Sequence, residues 1–225
     1  MNNLLGTRFA TLLLCGTLFV SILENNYAEA ETVDGNSYVD YLIVAVRKYI
    51  INDETNKLNL PDSSIKETEF TLDLTNRYVQ YFAAMTRSDD VVVSGTTSGG
   101  YQVSTNFNFA VMPLKYNFKA VTDEDKYSGN ILVELYKLVL NVKIEISVTN
   151  DEYIPEVKTV TVSDPGTPEV TITSKSSDIS DDLKSSIQSA TSQECKDATV
   201  ILIADGVKTS LNKIIGQVDF GKYVQ

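Results

Sequence analysis

The sequence predicts an α+β fold in which a long, curved antiparallel β-sheet wraps around a long C-terminal helix, with another helix at its N-terminal side. Apolar residues recur with a helical period between residues 37 and 58 and again between 177 and 218. Over residues 66–173 the period is two, which is typical of strands with one buried face. Because no helical segment interrupts that run, we expect neighbouring strands to pair in antiparallel fashion.

The first thirty residues have the pattern of a secretory signal peptide. Arg8 precedes an apolar run, Phe9–Leu23, and the segment ends in the small-x-small sequence Ala28-Glu29-Ala30. The run is about 15 residues long, whereas a membrane-spanning helix needs roughly 20. We therefore predict residues 1–30 as a signal peptide and 31–225 as a single secreted, extracellular domain, with an uncleaved anchor as the alternative.

Residues from Ser37 to about Leu58 are predicted to form the first helix. Ser37 can cap its first turn, and the sequence Asn59-Leu60-Pro61-Asp62 is expected to end it. Its apolar residues form two adjacent stripes, so the helix should be covered over much of its girth. The stripes are Tyr38, Tyr41, Leu42, Ala45 and Tyr49, and Val39, Ile43, Val46 and Ile50.

The strand segment contains two places where the apolar phase changes, near Asn76-Arg77 and near Pro113. A one-residue slip within a strand would turn apolar side chains outward, so we expect a β-bulge or a corner at each place. The clearest strand spans Leu138–Val148. The cluster Asp164–Pro168 is expected to be the turn between two shorter strands.

Helical spacing returns over residues 177–218 in two apolar stripes. The polar stretch Gln193–Asp197 separates them, which leaves open two helices or one kinked helix. The stripes are Ile179, Leu183, Ile187 and Ala190, and Ile201, Ala204, Val207, Leu211, Ile214, Ile215 and Val218.

The side-chain chemistry argues against an enzyme. The chain has no histidine, and its two cysteines, Cys15 and Cys195, become one when the signal peptide is removed. Ser-His and Cys-His nucleophile pairs and zinc or copper sites are therefore not expected. Carboxylates are abundant but cluster in turn sequences such as Asp123-Glu124-Asp125, where solvated charges explain them. We expect no catalytic residues, no metal and no cofactor. Cys195 is expected to be a buried, unreactive thiol, with an intermolecular disulfide as the alternative.

The net charge of −11 limits the partners of the chain. An acidic protein is repelled by nucleic acid and by anionic lipid surfaces, so neither is an expected partner. No segment after the signal is apolar enough for stable membrane insertion.

Large side chains dominate the predicted inner face of the sheet: Tyr78, Tyr81, Phe82, Phe107, Phe109, Tyr116, Phe118 and Leu140. They either fill a solid core or leave an elongated apolar cavity between the sheet and the helix, and periodicity cannot separate the two. The candidate ligand-binding residues are the bulkiest or most central members of the inward stripes. They are Phe107, Phe109, Tyr116, Phe118, Leu140, Ile144, Val207 and Leu211.

Three stretches of the chain resemble a known family: FTLDLTNRYVQYFAAMTRSDDVVVSG, YQVSTNFNFAVMPLKYNFKA and ILVELYKLVLNVKIEISV. They are similar to the half-barrel region of the insect juvenile-hormone-binding-like proteins and the group-seven mite allergens, members of the tubular lipid-binding (TULIP) superfamily. The shared order is L-x-L-x-N before a long strand, an acidic turn, a long bent strand and a closing amphipathic helix. Over about Val39–Val218, the resemblance implies a curved antiparallel sheet around a long C-terminal helix, with an apolar ligand between them.

One departure from that family concerns cysteine. Many juvenile-hormone-binding and takeout-like members carry a cysteine pair near the mature N-terminus, and this chain has none there. The resemblance therefore favours the cysteine-poor, allergen-like branch over hormone carriage.

These observations predict a secreted, non-enzymatic binder or carrier of a small hydrophobic molecule, such as a lipid, fatty acid, terpenoid or lipopeptide. The alternative is a secreted protein-interaction module with a solid core and an unknown protein partner. Lipopolysaccharide is disfavoured by the acidic balance, unless four lysines cluster on one surface: Lys115, Lys119, Lys137 and Lys143.

Overall fold

The computed structural model describes residues 32–52, 57–80, 82–175 and 179–225. The predicted signal peptide, residues 1–30, and Tyr81 of the predicted inward set lie outside the described residues. The elements below all belong to one unit, Val33–Gln225.

Helix α1 runs from Gly35 to Asn52 and ends earlier than predicted. Asp34, not Ser37, caps its first turn, because the Asp34 carboxylate accepts the backbone N–H of Ser37 at 3.0 Å. Leu58, predicted as the last helical residue, lies in strand β1 (Lys57–Leu60). The prediction was wrong here because two apolar residues spaced by two belong to a strand pattern and not to a continuing helix.

The described strands form one nine-stranded sheet in which each observed pairing is antiparallel. The sheet is open and curved, as the sequence predicted. After β1 its strands are β2 (Ser63–Lys66), β3 (Thr71–Gln80), β4 (Thr86–Arg87), β5 (Val92–Thr96), β6 (Gly100–Val121), β7 (Lys126–Thr149), β8 (Glu152–Asp164) and β9 (Thr167–Ser174).

The hairpin of β6 and β7 lies at the centre of the sheet, and its strands are 22 and 24 residues long. One edge of β6 pairs first with β5 and β4 and then with β3. The far edge of β7 pairs with β9 along its first part and with β8 along its second. The hairpin therefore joins two sets of shorter strands into a single long sheet.

A corner crosses the hairpin where these flanking strands change. Ala110 and Val111 on β6 both turn outward, as do Tyr136 and Lys137 on β7, and Lys137 has a left-handed φ of 60°. The pairing register is the same on both sides of this point, so the feature is a corner shared by both strands and not a β-bulge. It lies just before Pro113, where the sequence predicted the second phase change.

The first predicted phase change is a β-bulge in β3. Thr75 lies opposite Asn117 of β6 and Tyr78 opposite Lys115, so β3 contains one extra residue between them. The bulge turns Arg77 toward the core and leaves Tyr78 on the outer face, where the ammonium of Lys57 lies over its ring. The prediction of a bulge is confirmed, whereas the inward orientation predicted for Tyr78 was wrong.

The C-terminal helix is continuous over 37 residues. It comprises α2 (Asp181–Glu194), a π-helical turn (Cys195–Thr199), α3 (Val200–Ile214) and a final 3₁₀ turn (Ile215–Gln217). The sequence left open two helices or one kinked helix, and the structure has one helix. A short 3₁₀ helix, Phe220–Tyr223, follows it.

The helices cover one face of the sheet. Helix α2 packs against β9, and α3 packs against β8, β1 and α1. Among the described residues, no helix is both long and apolar enough to cross a membrane.

Candidate functional site

The apolar layer between sheet and helices is the most extensive feature of the interior. Inward residues of β3, β6 and β7 and the inner stripes of all three helices belong to one continuous hydrophobic cluster. Its burial follows from the period of two on the strands and of about 3.6 on the helices. This layer is the place where the sequence predicted ligand binding.

All eight candidate residues lie buried in this layer. On the hairpin, Phe107 lies directly opposite Leu140, Ile144 lies four residues further along β7, and Phe109 faces Leu138. Val207 and Leu211 lie one turn apart on α3. The structure thus gathers six of the eight candidates in the part of the layer next to β8 and α3.

Tyr116 and Phe118, the remaining two candidates, lie beyond the corner of the hairpin. Val103, the partner of Ile144, is separated from Phe118 by fifteen residues of β6, roughly 50 Å along the strand. The eight residues are therefore spread along the layer and do not form one compact site.

Two cavities that are open to solvent lie at the surface near opposite ends of the hairpin. One, of about 520 Å³, lies between Phe70 with its preceding loop and Ala190 of α2. The other, of about 600 Å³, lies between the β7–β8 turn at Tyr153 and the chain around Val218. Each cavity is lined mainly by polar groups but includes buried members of the core.

Five aromatic rings close the second of these ends. Tyr38, Tyr101 and Tyr153 each place a ring centroid within 5.5 Å of the Phe220 ring, and Tyr223 stacks edge-on against Tyr38. Burial raises the pKa of the Tyr38 hydroxyl, and that hydroxyl has no hydrogen-bond partner. The C-terminal 3₁₀ helix is thus anchored by aromatic packing.

A polar cluster lies within the apolar layer, where the bulge of β3 meets the π-helical turn. Arg77 donates to Glu194 Oε1 at 2.5 Å, to Thr199 Oγ1 at 2.7 Å and to the carbonyl oxygen of Pro61 at 2.9 Å. Thr199 in turn donates to Glu194 Oε2 at 2.9 Å. The Arg77 guanidinium also lies 5.2 Å from the ring centroid of Tyr116.

Burial dominates the acid–base behaviour of the groups around this ion pair. It raises the pKa of the Tyr116 hydroxyl, and the nearby thiol of Cys195 and carboxylate of Glu194 act in the same direction. Burial likewise raises the pKa of the Cys195 thiol to about 12, with Glu194 as the second cause. Both groups are therefore neutral at physiological pH. The predicted burial of Cys195 is confirmed.

The sequence pattern did not identify this cluster as a site, although it contained a signal. The phase change near Asn76-Arg77 required one of the two residues to turn inward, and only one of them carries a charge. The partners Glu194 and Thr199 are more than a hundred positions away, and periodicity carries no information about them.

The four lysines whose clustering would have favoured an anionic lipid do not cluster. Lys115 and Lys119 lie on the outer side of β6 and Lys137 and Lys143 on β7, all exposed. Ser128, the partner of Lys119, is separated from Lys143 by fifteen residues of β7, roughly 50 Å along the strand.

Neither a protein-family model nor a curated protein matches this sequence. Solved structures do match its fold. Takeout 1 of Epiphyas postvittana superposes with a TM-score of 0.50 at 12% identity, covering 73% of this chain and 81% of that protein. A lipopolysaccharide binding protein superposes with a TM-score of 0.54 at 10% identity, covering 81% of this chain but 38% of that one.

At such identities the likeness concerns the fold alone. The curved sheet and closing helix of this chain are the arrangement that the sequence resemblance implied. This chain therefore has the tubular lipid-binding, or TULIP, fold.

Proposed function

We propose that this protein is a secreted, non-enzymatic carrier that binds a small hydrophobic molecule between its curved sheet and its C-terminal helix. The observation that carries the proposal is the continuous apolar layer along the hairpin, between the sheet and the C-terminal helix. A ligand within it would be held by transfer of its apolar surface from water, at roughly 25 cal/mol per Å².

The structural neighbours support this proposal at the level of class. One of them is by name a lipopolysaccharide binding protein, and the other is a takeout protein with the same fold. For this chain we propose a lipid, fatty acid, terpenoid or lipopeptide and not lipopolysaccharide, because the four lysines of β6 and β7 do not cluster and the net charge is −11.

The direct test has two parts. Protein isolated from its source is extracted with solvent, and the extract is examined by mass spectrometry for a stoichiometric lipid. Stripped protein is then titrated with a fluorescent fatty-acid analogue, a terpenoid ester and a lipopeptide. Saturable binding of any of them supports the proposal, and absence of binding to all of them contradicts it.

Secretion is tested separately, through the predicted signal peptide. Expressed with its own first thirty residues in a secretory host, the protein should appear in the medium with Glu31 as its first residue. Retention in the membrane fraction with an intact N-terminus would instead indicate an anchor.

One observation favours the protein-interaction alternative. Tyr41, Val44 and Ile51 are 57, 42 and 58% exposed on one side of α1, and apolar residues grouped on an exposed helix face are typical of protein-interaction surfaces. A lipid-free extract, no saturable ligand and a protein partner lost on replacing Tyr41 and Ile51 by Ser would establish that function.

A further inference from the structure

Arg77 is the one charged residue in the buried class among the described residues of the chain. It reaches the interior because the bulge of β3 turns it inward, and its guanidinium lies between the sheet and the π-helical turn. Charged groups are very costly to bury, and an apolar residue of similar volume often stabilises a core better. Its position in an apolar layer therefore calls for an explanation other than stability.

The cluster is balanced in charge. Glu194, whose side chain is 10% exposed, accepts from both Arg77 and Thr199. One positive and one negative group thus neutralise each other within the layer. A ligand carboxylate placed here would bring a second negative charge with no positive partner of its own.

The cluster is nevertheless incomplete in hydrogen bonds. The Nε–H of Arg77 and the hydroxyl of Tyr116 are buried with no partner within 3.5 Å, and the Thr199 hydroxyl interacts only weakly with that of Tyr116. One turn before the π-helical turn, the hydroxyl of Thr191 is also buried and unpartnered. An unsatisfied buried donor is destabilising, and most buried polar groups in native proteins have a partner.

From these observations we propose that the cluster of Arg77, Tyr116, Glu194 and Thr199 binds the polar end of the hydrophobic ligand. This inference rests on the proposed function and makes it more specific. The free donors fit a hydrogen-bond acceptor, and the balanced ion pair favours an uncharged one, such as the carbonyl oxygen of an ester, ketone or amide. The apolar part of the ligand then extends along the layer, away from the bulge.

A purely structural role is the competing explanation, since Arg77 also ties β3 to the helix. The two roles differ most at Tyr116. Its hydroxyl has no partner within 3.5 Å and only a weak interaction with the Thr199 hydroxyl, so Tyr116→Phe removes little that holds the fold together. The same change removes one of the donors offered to the ligand.

The experiment compares palmitic acid with its methyl ester on stripped full-length protein, by displacement of one fluorescent probe at neutral pH. Wild-type protein should bind the ester about tenfold more tightly than the carboxylate, because the carboxylate brings a second, unpaired negative charge into the layer. Tyr116→Phe should weaken ester binding about five- to tenfold and leave the urea unfolding midpoint unchanged or raised.

Tyr38→Phe is the matched control. Tyr38 is the other tyrosine with a buried, unpartnered hydroxyl among the described residues, but it packs against Phe220 at the far end of the layer. This variant should bind both ligands as wild-type protein does. An equal loss of ester binding in both variants would overturn the proposal, because the effect would then not depend on the cluster.

Glu194→Gln tests the charge balance of the cluster. It leaves Arg77 with an uncompensated positive charge, so the preference should shift toward the carboxylate by at least tenfold. Glu124→Gln, in the exposed β6–β7 turn, removes the same charge from the protein and should leave the preference unchanged. If Glu194→Gln does not fold, the Tyr116→Phe comparison alone decides the matter.

The outcomes separate this inference from the proposed function. Saturable binding without a head-group preference, and without an effect of Tyr116→Phe, overturns the inference and leaves the carrier function standing. No saturable binding of either palmitate or its ester, together with none of the other hydrophobic probes, overturns both.

Discussion

Phe109 is the candidate residue at which a solid core and a ligand cavity are most easily separated. It is fully buried on β6 beside the corner of the hairpin. Phe109→Ala should lower the free energy of unfolding by about 3–5 kcal/mol if the ring only fills the core. If the ring contacts ligand, the variant should instead weaken binding of a fluorescent fatty-acid analogue.

The two readings are compared in one pair of measurements, urea unfolding and ligand titration at saturating protein. Val111→Ala, two residues away on the outer side of the sheet, is the control and should change neither. Intact binding together with a large loss of stability would contradict the assignment of Phe109 to the ligand site.

Cys195 should be unreactive in the folded protein. It is buried, and burial with the neighbouring Glu194 raises its pKa to about 12. At pH 8 roughly one molecule in ten thousand would carry the reactive thiolate, on top of the steric barrier. Ellman's reagent should therefore label the protein only in denaturant, and rapid stoichiometric labelling of native protein would contradict the structure.

At the scale of elements, the corner of the hairpin depends on the turn between β8 and β9. Gly166 in that turn has a φ of 74°, and a Cβ there would come within 2.4 Å of the carbonyl oxygen of Tyr136. Tyr136 is one of the two β7 residues that turn outward at the corner. The turn and the corner therefore fit each other closely.

Gly166→Ala should destabilise the protein by at least 1–2 kcal/mol, roughly the cost of the left-handed backbone alone. The contact with a backbone oxygen adds to this cost, because that oxygen belongs to the paired strand and cannot move aside. Gly216→Ala is the control, since no heavy atom lies within 4 Å of the position of its Cβ. Equal unfolding midpoints for the two variants would show that the turn does not constrain the corner.

At the scale of the whole molecule, the protein should lose stability in alkali. Burial raises the pKa of both Tyr38 and Tyr116 above the ordinary value near 10. Above about pH 10 the unfolded chain releases these protons while the native state retains them, so the free energy of unfolding falls as pH rises. Below pH 10 both states are protonated at these groups, and their contribution is constant.

Urea unfolding between pH 9 and 11.5 measures this dependence. Tyr38→Phe should reduce the slope by up to about 1.4 kcal/mol per pH unit, the contribution of a single proton. The remaining groups are common to both proteins, so the difference between the two curves reports Tyr38 alone. An identical slope in the variant would mean that Tyr38 ionises freely in the native state.

Ligand binding should depend little on salt. In the proposed site, burial of apolar surface drives association, and the ion pair of Arg77 and Glu194 is already neutralised within the protein. The dissociation constant of a neutral ester should change less than twofold between 50 mM and 1 M NaCl. A steep decrease in affinity with salt would indicate binding to exposed charges such as the lysines of the outer face.

The period of the apolar residues determined the type and order of the elements. Successive side chains alternate across a strand and recur every 3.6 residues on a helix, so the pattern states directly which side chains are buried. It therefore predicted the long strands, the closing helix and the bulge at Asn76-Arg77, which are confirmed. It failed at Leu58, where an apolar pair too short to show its period was assigned to the neighbouring helix.

Tertiary structure alone decided which buried groups meet. The sequence indicated that one residue near position 77 turns inward, but the ion pair with Glu194 joins residues 117 positions apart. The ion pair forms because the bulge of β3 and the π-helical turn pack against each other in the apolar layer. A hydrophobic pattern indicates which side chains are buried. Which residues they then contact depends on how elements distant in the chain pack together.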